Sequence, residues 1–183
     1  NARGIFGVED NKKDCIEKLR EAVKDEPRME VKVLQTKYPQ GAERQLIYAV
    51  TKRAINSSML PADAGCIVDN VETLIGIHYA VAKGRPLTER VVTVSGDAVT
   101  SPGNFLVQLG TNQQELVEAA GGFKTEPQKL ISGGPMMGFA MMTLDTPVTK
   151  TSSSILAFTE DIVAKSKTTA CINCGRCVEV CPS

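Results

Sequence analysis

Residues 3–86 switch repeatedly between a short-period and a helical pattern of apolar positions. Gly4–Val8 is a brief apolar run that predicts a strand, and Asp10 and Asn11 follow it as N-cap candidates, with Asp14 three residues beyond Asn11. Ile16, Leu19 and Val23 then recur at helical spacing with charges on the opposite face, and Pro27 ends that helix. Met29–Leu34 alternates, placing Val31 and Val33 on one side and Lys32 on the other, as a strand requires. Ala42–Arg53 predicts a second helix with Leu46, Ile47 and Val50 inward. Cys66–Val68 is expected to be a short strand, and Asn70 is placed to cap a third helix with Val71, Leu74, Ile75 and His78 on one stripe. Lys83 and Gly84 close that helix, and Pro86 prevents its continuation. Strand–helix repetition of this kind implies an α/β fold with a largely parallel sheet.

Beyond residue 87 the punctuation changes, which sets a domain boundary there. Arg90–Ser95 is a β-branched strand, Gly96 breaks it, and Pro102-Gly103-Asn104 turns the chain into strand Phe105–Leu109. Thr111 through Gln114 has capping-box form and opens a short helix carrying Leu116, Val117 and Ala120, stopped by Gly121-Gly122. Lys129–Ile131 is a further strand before the Gly133-Gly134-Pro135 turn. This order describes a small α+β unit. Residues 143–154 read as an extended connector, Ile155–Phe158 as a strand, and Thr159–Thr169 as a polar link.

Charge and composition narrow the functional classes. With 21 Lys+Arg against 21 Asp+Glu, nothing favours nucleic acid or an anionic membrane surface. Aromatic residues are 4% and Trp is absent, which removes a base-stacking platform. No apolar run approaches the ~20 residues that span a bilayer, and no signal peptide opens the chain, so a soluble protein of the cytoplasm is expected. The first and last residues read as those of a piece of a longer polypeptide.

Chemistry concentrates at the carboxyl end. Cys171, Cys174, Cys177 and Cys181, followed by Pro182, fit the spacing C-x₂-C-x₂-C-x₃-C-P. Two-residue gaps let one tight loop present thiolates to several irons of a cubane, and Asn173 and Gly175 suit the left-handed backbone that such a loop needs. In two-cluster ferredoxins the fourth cysteine serves the other cluster, so Cys181 would await a second run that this chain lacks. Zinc, held as a rule by two separated cysteine pairs, is the competing assignment. Cys15 and Cys66 stand alone in apolar surroundings and read as small buried hydrophobes.

Other candidates have structural readings beside the functional ones. His78, the single histidine, lies on an apolar stripe and is expected to be a core or half-buried side chain, and one histidine gives a hydrolase triad little support. The pairs Met136-Met137 and Met141-Met142 read as flexible core filler rather than a soft-metal site. Asp69, Asn70 and Thr73 sit where a strand end meets a helix N-terminus, the place where α/β folds receive phosphorylated ligands. Both capping and ligand contact are open to Asn70. No G-x-G-x-x-G fingerprint supports a dinucleotide site of the usual form.

Four segments together carry a family resemblance: Thr36-Lys-Tyr-Pro-Gln-Gly-Ala-Glu-Arg-Gln-Leu46, Gly65-Cys-Ile-Val-Asp-Asn-Val-Glu-Thr73, Ile131-Ser-Gly-Gly-Pro-Met-Met-Gly138, and the cysteine run. The chain resembles the C subunit of Rnf-type electron-transport complexes and, more distantly, the flavin-binding subunit of respiratory complex I. The resemblance implies a parallel-sheet, Rossmann-like FMN- and NADH-binding portion at 1–86. A small α+β β-grasp domain of the soluble-ligand-binding type follows at 87–142, then a connector with a short strand at 143–169. The start of a ferredoxin-like 4Fe-4S region occupies 170–183.

It also implies two 4Fe-4S clusters in the full-length protein, incomplete here, with Cys171, Cys174, Cys177 and Cys181 as ligands. An FMN site is implied to be only partial here, because the family's glycine-rich phosphate loop is missing. Asp69, Asn70 and Thr73 match the family's flavin-contacting Asn-Asn-x-x-Thr positions, with Asp in place of the first Asn, and Glu9 matches an acidic residue near the flavin. No catalytic side chain is implied.

The implied activity is electron transfer within a membrane-bound ferredoxin:NAD oxidoreductase that couples electron flow to ion movement. Its partners would be the other membrane subunits, with ferredoxin and NAD as redox partners. The implied location is peripheral, on the cytoplasmic side of the membrane, without insertion. A soluble flavin/iron–sulfur reductase of a bacterial microcompartment is the nearest rival, and a non-redox β-grasp binding or assembly module is a third reading.

Overall fold

A computed structural model describes residues 2–56, 58–135, 137–161 and 169–180. The chain divides into two compact units, Asn1–Asp69 with Cys171–Ser183, and Asn70–Ala170.

In the first unit, β1 (Gly4–Glu9) and β2 (Met29–Leu34) pair in parallel, in register from Gly4↔Met29 to Glu9↔Leu34. Parallel pairing needs a crossover, which α1 (Lys13–Val23) supplies. Leu34 and Ile16 are buried, and Ile47 of α2 (Glu43–Thr51) is buried most completely of the three. Gly7 is required here: a Cβ on it would come within 2.7 Å of Leu46 Cδ1 and 3.1 Å of Leu34 Cδ1. The missing side chain therefore makes room for α2 against the sheet. Lys32 Nζ donates to the Val50 carbonyl at 2.9 Å, and Arg53 Nη1 donates to the Ala64 carbonyl at 2.6 Å.

Three local expectations give way. Neither Asp10 nor Asn11 caps α1; Lys12 occupies the N-cap without a side-chain bond. The Asp10 carboxylate instead accepts from the Thr36 backbone N–H at 3.1 Å and from the Thr36 hydroxyl at 2.6 Å. It thus joins the exits of the two strands, a long-range partner that a local pattern cannot show. Cys66–Val68 forms no strand. Cys15 is exposed rather than buried, and Cys66 is half-buried with its Sγ 3.5 Å from the Ala64 carbonyl oxygen.

The second unit opens with α3 (Val71–Lys83), which ends at Gly84 in the left-handed conformation. Its sheet has the order β4-β3-β7-β5-β6, formed by β3 (Glu89–Ser95), β4 (Gly103–Gln108), β5 (Lys129–Ser132), β6 (Phe139–Met141) and β7 (Ser154–Phe158). β3 is antiparallel to β4 and parallel to β7, while β5 is antiparallel to both β7 and β6. The last of these strands in chain order therefore lies in the middle of a mixed sheet. Alternation buries Val92 and Val94 of β3 and Ile155 and Ala157 of β7. Leu116 and Val117 of α4 (Gln113–Ala119) join the same core, as do Ala98, Val99, Ala120 and Val148. Each fully buried Val, Leu or Ile contributes ~1.5–3 kcal/mol relative to exposure.

α4 is capped by Asn112, whose Oδ1 accepts from Gln114 N–H at 2.9 Å, rather than by a Thr111 box. The Asn112 amide also donates to Asp145 Oδ1 at 2.7 Å, and Val148 N–H donates to the Thr111 carbonyl at 2.8 Å. The connecting segment near 145–148 is thereby fastened to the helix start. Gly96 has φ +120°, and a Cβ there would lie 2.0 Å from the Ala157 carbonyl oxygen, so only glycine lets the chain leave β3 against β7.

Burial corrects two further expectations. His78 is exposed, and α3 has no buried residue. Of the methionines after the glycine turn, only Met141 packs against the core; Met137 is 82% and Met142 100% exposed, and Met136 lies outside the described residues. The architecture is mixed α/β, with one parallel and one mixed sheet.

Candidate functional site

The cysteine loop precedes a short helix, α5 (Arg176–Val180). Cys171, Cys174 and Cys177 are free and exposed; Cys181 lies outside the described residues. Asn173 has φ 55° and Gly175 φ 74°, the two left-handed positions expected from residue type. The loop consequently folds back on its first sulfur, and Asn173 N–H points to Cys171 Sγ at 3.4 Å. Gly175 then starts α5, its carbonyl accepting from Val178 N–H at 2.9 Å.

A donor set of closely spaced thiols, a tight left-handed loop and an amide directed at sulfur fit a thiolate-held iron–sulfur group. Among the described residues, no three Cys, His, Asp or Glu side chains are gathered closely enough to hold a metal ion.

The other candidates occupy strand and helix ends. Glu9 closes β1, half-buried, opposite Leu34 in the register. Asp69 is exposed at the end of the first unit. Asn70 and Thr73 are one turn apart at the start of α3, and Asn70 Oδ1 accepts from Glu72 N–H at 2.9 Å, so capping is an actual role of this side chain.

Sequence reasoning passed over Glu72. Its carboxylate accepts from Arg90 Nη2 at 2.6 Å and from Val91 N–H at 2.6 Å, which ties the first turn of α3 to β3. The side chains are 13% exposed for Arg90 and 26% for Glu72. A carboxylate in a first helical turn is a weak signal of dipole compensation, but only the fold supplies its partners.

Comparisons with known proteins agree with this layout. Residues 1–79 match the Nuo51 FMN-binding domain, residues 91–140 the SLBB domain, and residues 167–183 a 4Fe-4S binding domain. Those three matches, in that order, set the chain among proteins that join a Nuo51-type FMN-binding domain, an SLBB domain and a 4Fe-4S binding domain. The chain is 48% identical over 180 residues to the C subunit of the proton-translocating ferredoxin:NAD(+) oxidoreductase complex of Clostridium ljungdahlii, covering 98% of the chain and 39% of that protein.

It is 47% identical over 180 residues to the Na(+)-translocating counterpart of Acetobacterium woodii, covering 98% of the chain and 41% of that protein. To the C subunit of the ion-translocating oxidoreductase complex of Vibrio cholerae it is 42% identical over 181 residues, 97% of the chain and 23% of the relative. Over nearly its whole length the chain is thus similar to C subunits of ion-translocating ferredoxin:NAD(+) oxidoreductase complexes, the Rnf type. It spans about two fifths of the length of the first two relatives.

Proposed function

We propose that this chain is an electron-transfer part of a membrane-bound ferredoxin:NAD oxidoreductase that couples electron flow to ion translocation. It would work peripherally on the cytoplasmic side of the membrane beside the complex's other subunits, with ferredoxin and NAD as redox partners. Among the described residues no helix is long and apolar enough to cross a membrane. The finer folds we assign are a Rossmann-like flavin portion at 1–86 and a β-grasp domain at 87–142. A connector at 143–169 and the start of a ferredoxin-like region at 170–183 complete the assignment.

The observation that carries the reading is the cysteine loop. Cys171, Cys174 and Cys177, with Cys181, are the ligands we assign to 4Fe-4S chemistry. A bound cluster would supply reversible one-electron storage. The thiols deprotonate on metal uptake, and because a site is rarely preformed, binding draws the sulfurs together and orders the loop. The left-handed turn at Asn173 keeps its backbone N–H near Cys171 Sγ, where it offsets thiolate charge. Exposure of the loop leaves a short path for a redox partner.

For FMN, we assign Asp69, Asn70, Thr73 and Glu9 as contacts. The Asn70 carbonyl oxygen is committed to the helix cap, which leaves its amide N–H groups for a ligand. The Thr73 hydroxyl adds a donor or acceptor one turn away. Asp69 would repel a phosphate, so a hydroxyl or amide is its natural partner. Glu72 positions the Asn70–Thr73 turn through Arg90 and Val91.

The test is anaerobic purification of the full-length polypeptide, with iron and acid-labile sulfide determined and paramagnetic resonance recorded after reduction. Two cubane signals are expected, and a Ser at 171, 174 or 177 should remove one of them. A well-folded protein that holds only zinc, or no metal, would end the redox assignment.

A further inference from the structure

The second unit has an open cleft of about 570 Å³, lined by both apolar and polar side chains, between α4, the 122–128 segment and the β5–β6 hairpin. Val117, Phe123, Leu130, Met141 and Leu144 line its apolar part. Its ionisable lining residues are Glu118 and Glu126, accompanied by Gln114 and Gln128, and no lysine or arginine lines it. The nearest basic residues in sequence are elsewhere engaged or outside the lining: Lys129 pairs with Asp161 at 2.9 Å, and Lys124 is exposed.

Beside this cleft, β6 is an edge strand among the described residues. Edge strands present a row of backbone donors and acceptors, and proteins usually blunt them with charge, proline or a bulge. The segment Phe139-Ala140-Met141-Met142 carries no charge and no proline. Phe139 is 81% and Met142 100% exposed, and Met141 and Met142 both line the cleft. The two-residue period puts Phe139 on the same sheet face as Met141, so the exposed ring extends the apolar lining along the edge.

We propose that β6 and this cleft receive an extended segment of a partner protein by strand addition. The partner segment alternates apolar residues, one of which enters the cleft, with at least one lysine or arginine that faces Glu118 and Glu126. Backbone hydrogen bonds along β6 supply affinity, and the cleft and its carboxylates select the side chains. The inference stands on the second unit alone and does not depend on the cluster or flavin assignments.

The experiment uses the 183-residue chain and a fluorescein-labelled eight-residue peptide alternating valine with lysine and threonine, followed by anisotropy. Saturable binding is expected, with amide-exchange protection gained at alternate residues of β6, those whose N–H groups face away from β5. Glu118→Gln with Glu126→Gln should weaken it about tenfold, equivalent to roughly 1.4 kcal/mol over two exposed carboxylates. Both substitutions are at exposed positions and preserve shape, so circular dichroism should stay unchanged.

A peptide N-methylated at every residue should not bind, since neither of its edges can donate to the ladder, and replacement of lysine by glutamate should abolish binding. Equal binding of the N-methylated or glutamate peptide would overturn the proposal, as would indifference to the double variant or no binding up to about 1 mM. Sedimentation showing a dimer that Phe139→Lys disperses would also overturn it, by making a second copy the occupant.

Discussion

Replacing Glu72 with Ala removes the acceptor of two 2.6 Å bonds and leaves Arg90 without its carboxylate. Hydrogen bonds to a charged group are worth ~1.5–3 kcal/mol each, and stranding the partner of a fully buried ion pair costs ~3–5 kcal/mol. Arg90 is 13% exposed, its Nε is buried without a partner, and Glu72 is 26% exposed, so water offsets part of the loss. The expected cost of Glu72→Ala is therefore about 2–4 kcal/mol.

Glu72→Gln keeps an acceptor for Val91 N–H but loses the charge, and should cost roughly half as much. Hydrogen–deuterium exchange in β3 and α3, read beside urea unfolding by circular dichroism, measures the loss where it arises. Adding Arg90→Ala to Glu72→Ala should cost little more, giving a coupling of at least about 1 kcal/mol. A loss below about 0.5 kcal/mol for Glu72→Ala, or equal losses for the Ala and Gln variants, would refute the view that this carboxylate secures the start of α3.

Three further outcomes are expected. Gly96→Ala should destabilise the second unit by about 3 kcal/mol or more, because positive φ and a 2.0 Å approach to the Ala157 carbonyl act together; thermal unfolding checks it. The Asp10 and Asp97 carboxyls are held below the ordinary aspartate value of 3.8, chiefly by the hydroxyls of Thr36 and Thr159 and then by their backbone N–H groups. A depressed folded pKa means stability is present above the unfolded value and lost as pH falls through the folded one. Asp10→Asn and Asp97→Asn should therefore flatten the unfolding midpoint below pH about 4, and carboxyl carbon NMR should place both titrations below 3.8. Asn70→Ala should cost ~1 kcal/mol of helix stability whereas Asn70→Asp, which keeps an accepting oxygen, should cost little; FMN titration of the full-length Asn70→Asp variant separates capping from flavin contact.

Much of this protein is written in local pattern. Period-two alternation marks β2, short apolar or β-branched runs mark β1, β3 and β7, helical spacing marks α1 to α3, and Asn70 and Gly84 mark the ends of α3. The cysteine spacing, with Asn173 and Gly175 between the thiols, announces its loop because ligation chemistry and left-handed backbone are properties of a few adjacent residues.

What needed the tertiary structure were partners distant in sequence. Asp10 reads as a cap until Thr36 arrives from the neighbouring strand, and Glu72 carries no signal of its partners until β3 brings Arg90 and Val91. β7 is legible as a strand, but its place in the sheet is not until it lies between β3 and β5. Burial was equally nonlocal: the stripe containing His78 predicts a packed face, yet α3 leaves it exposed, and of the methionines near β6 Met141 packs on the core while Met137 and Met142 stay exposed. Periodicity fixes which residues share a face; only the assembled chain decides what that face meets.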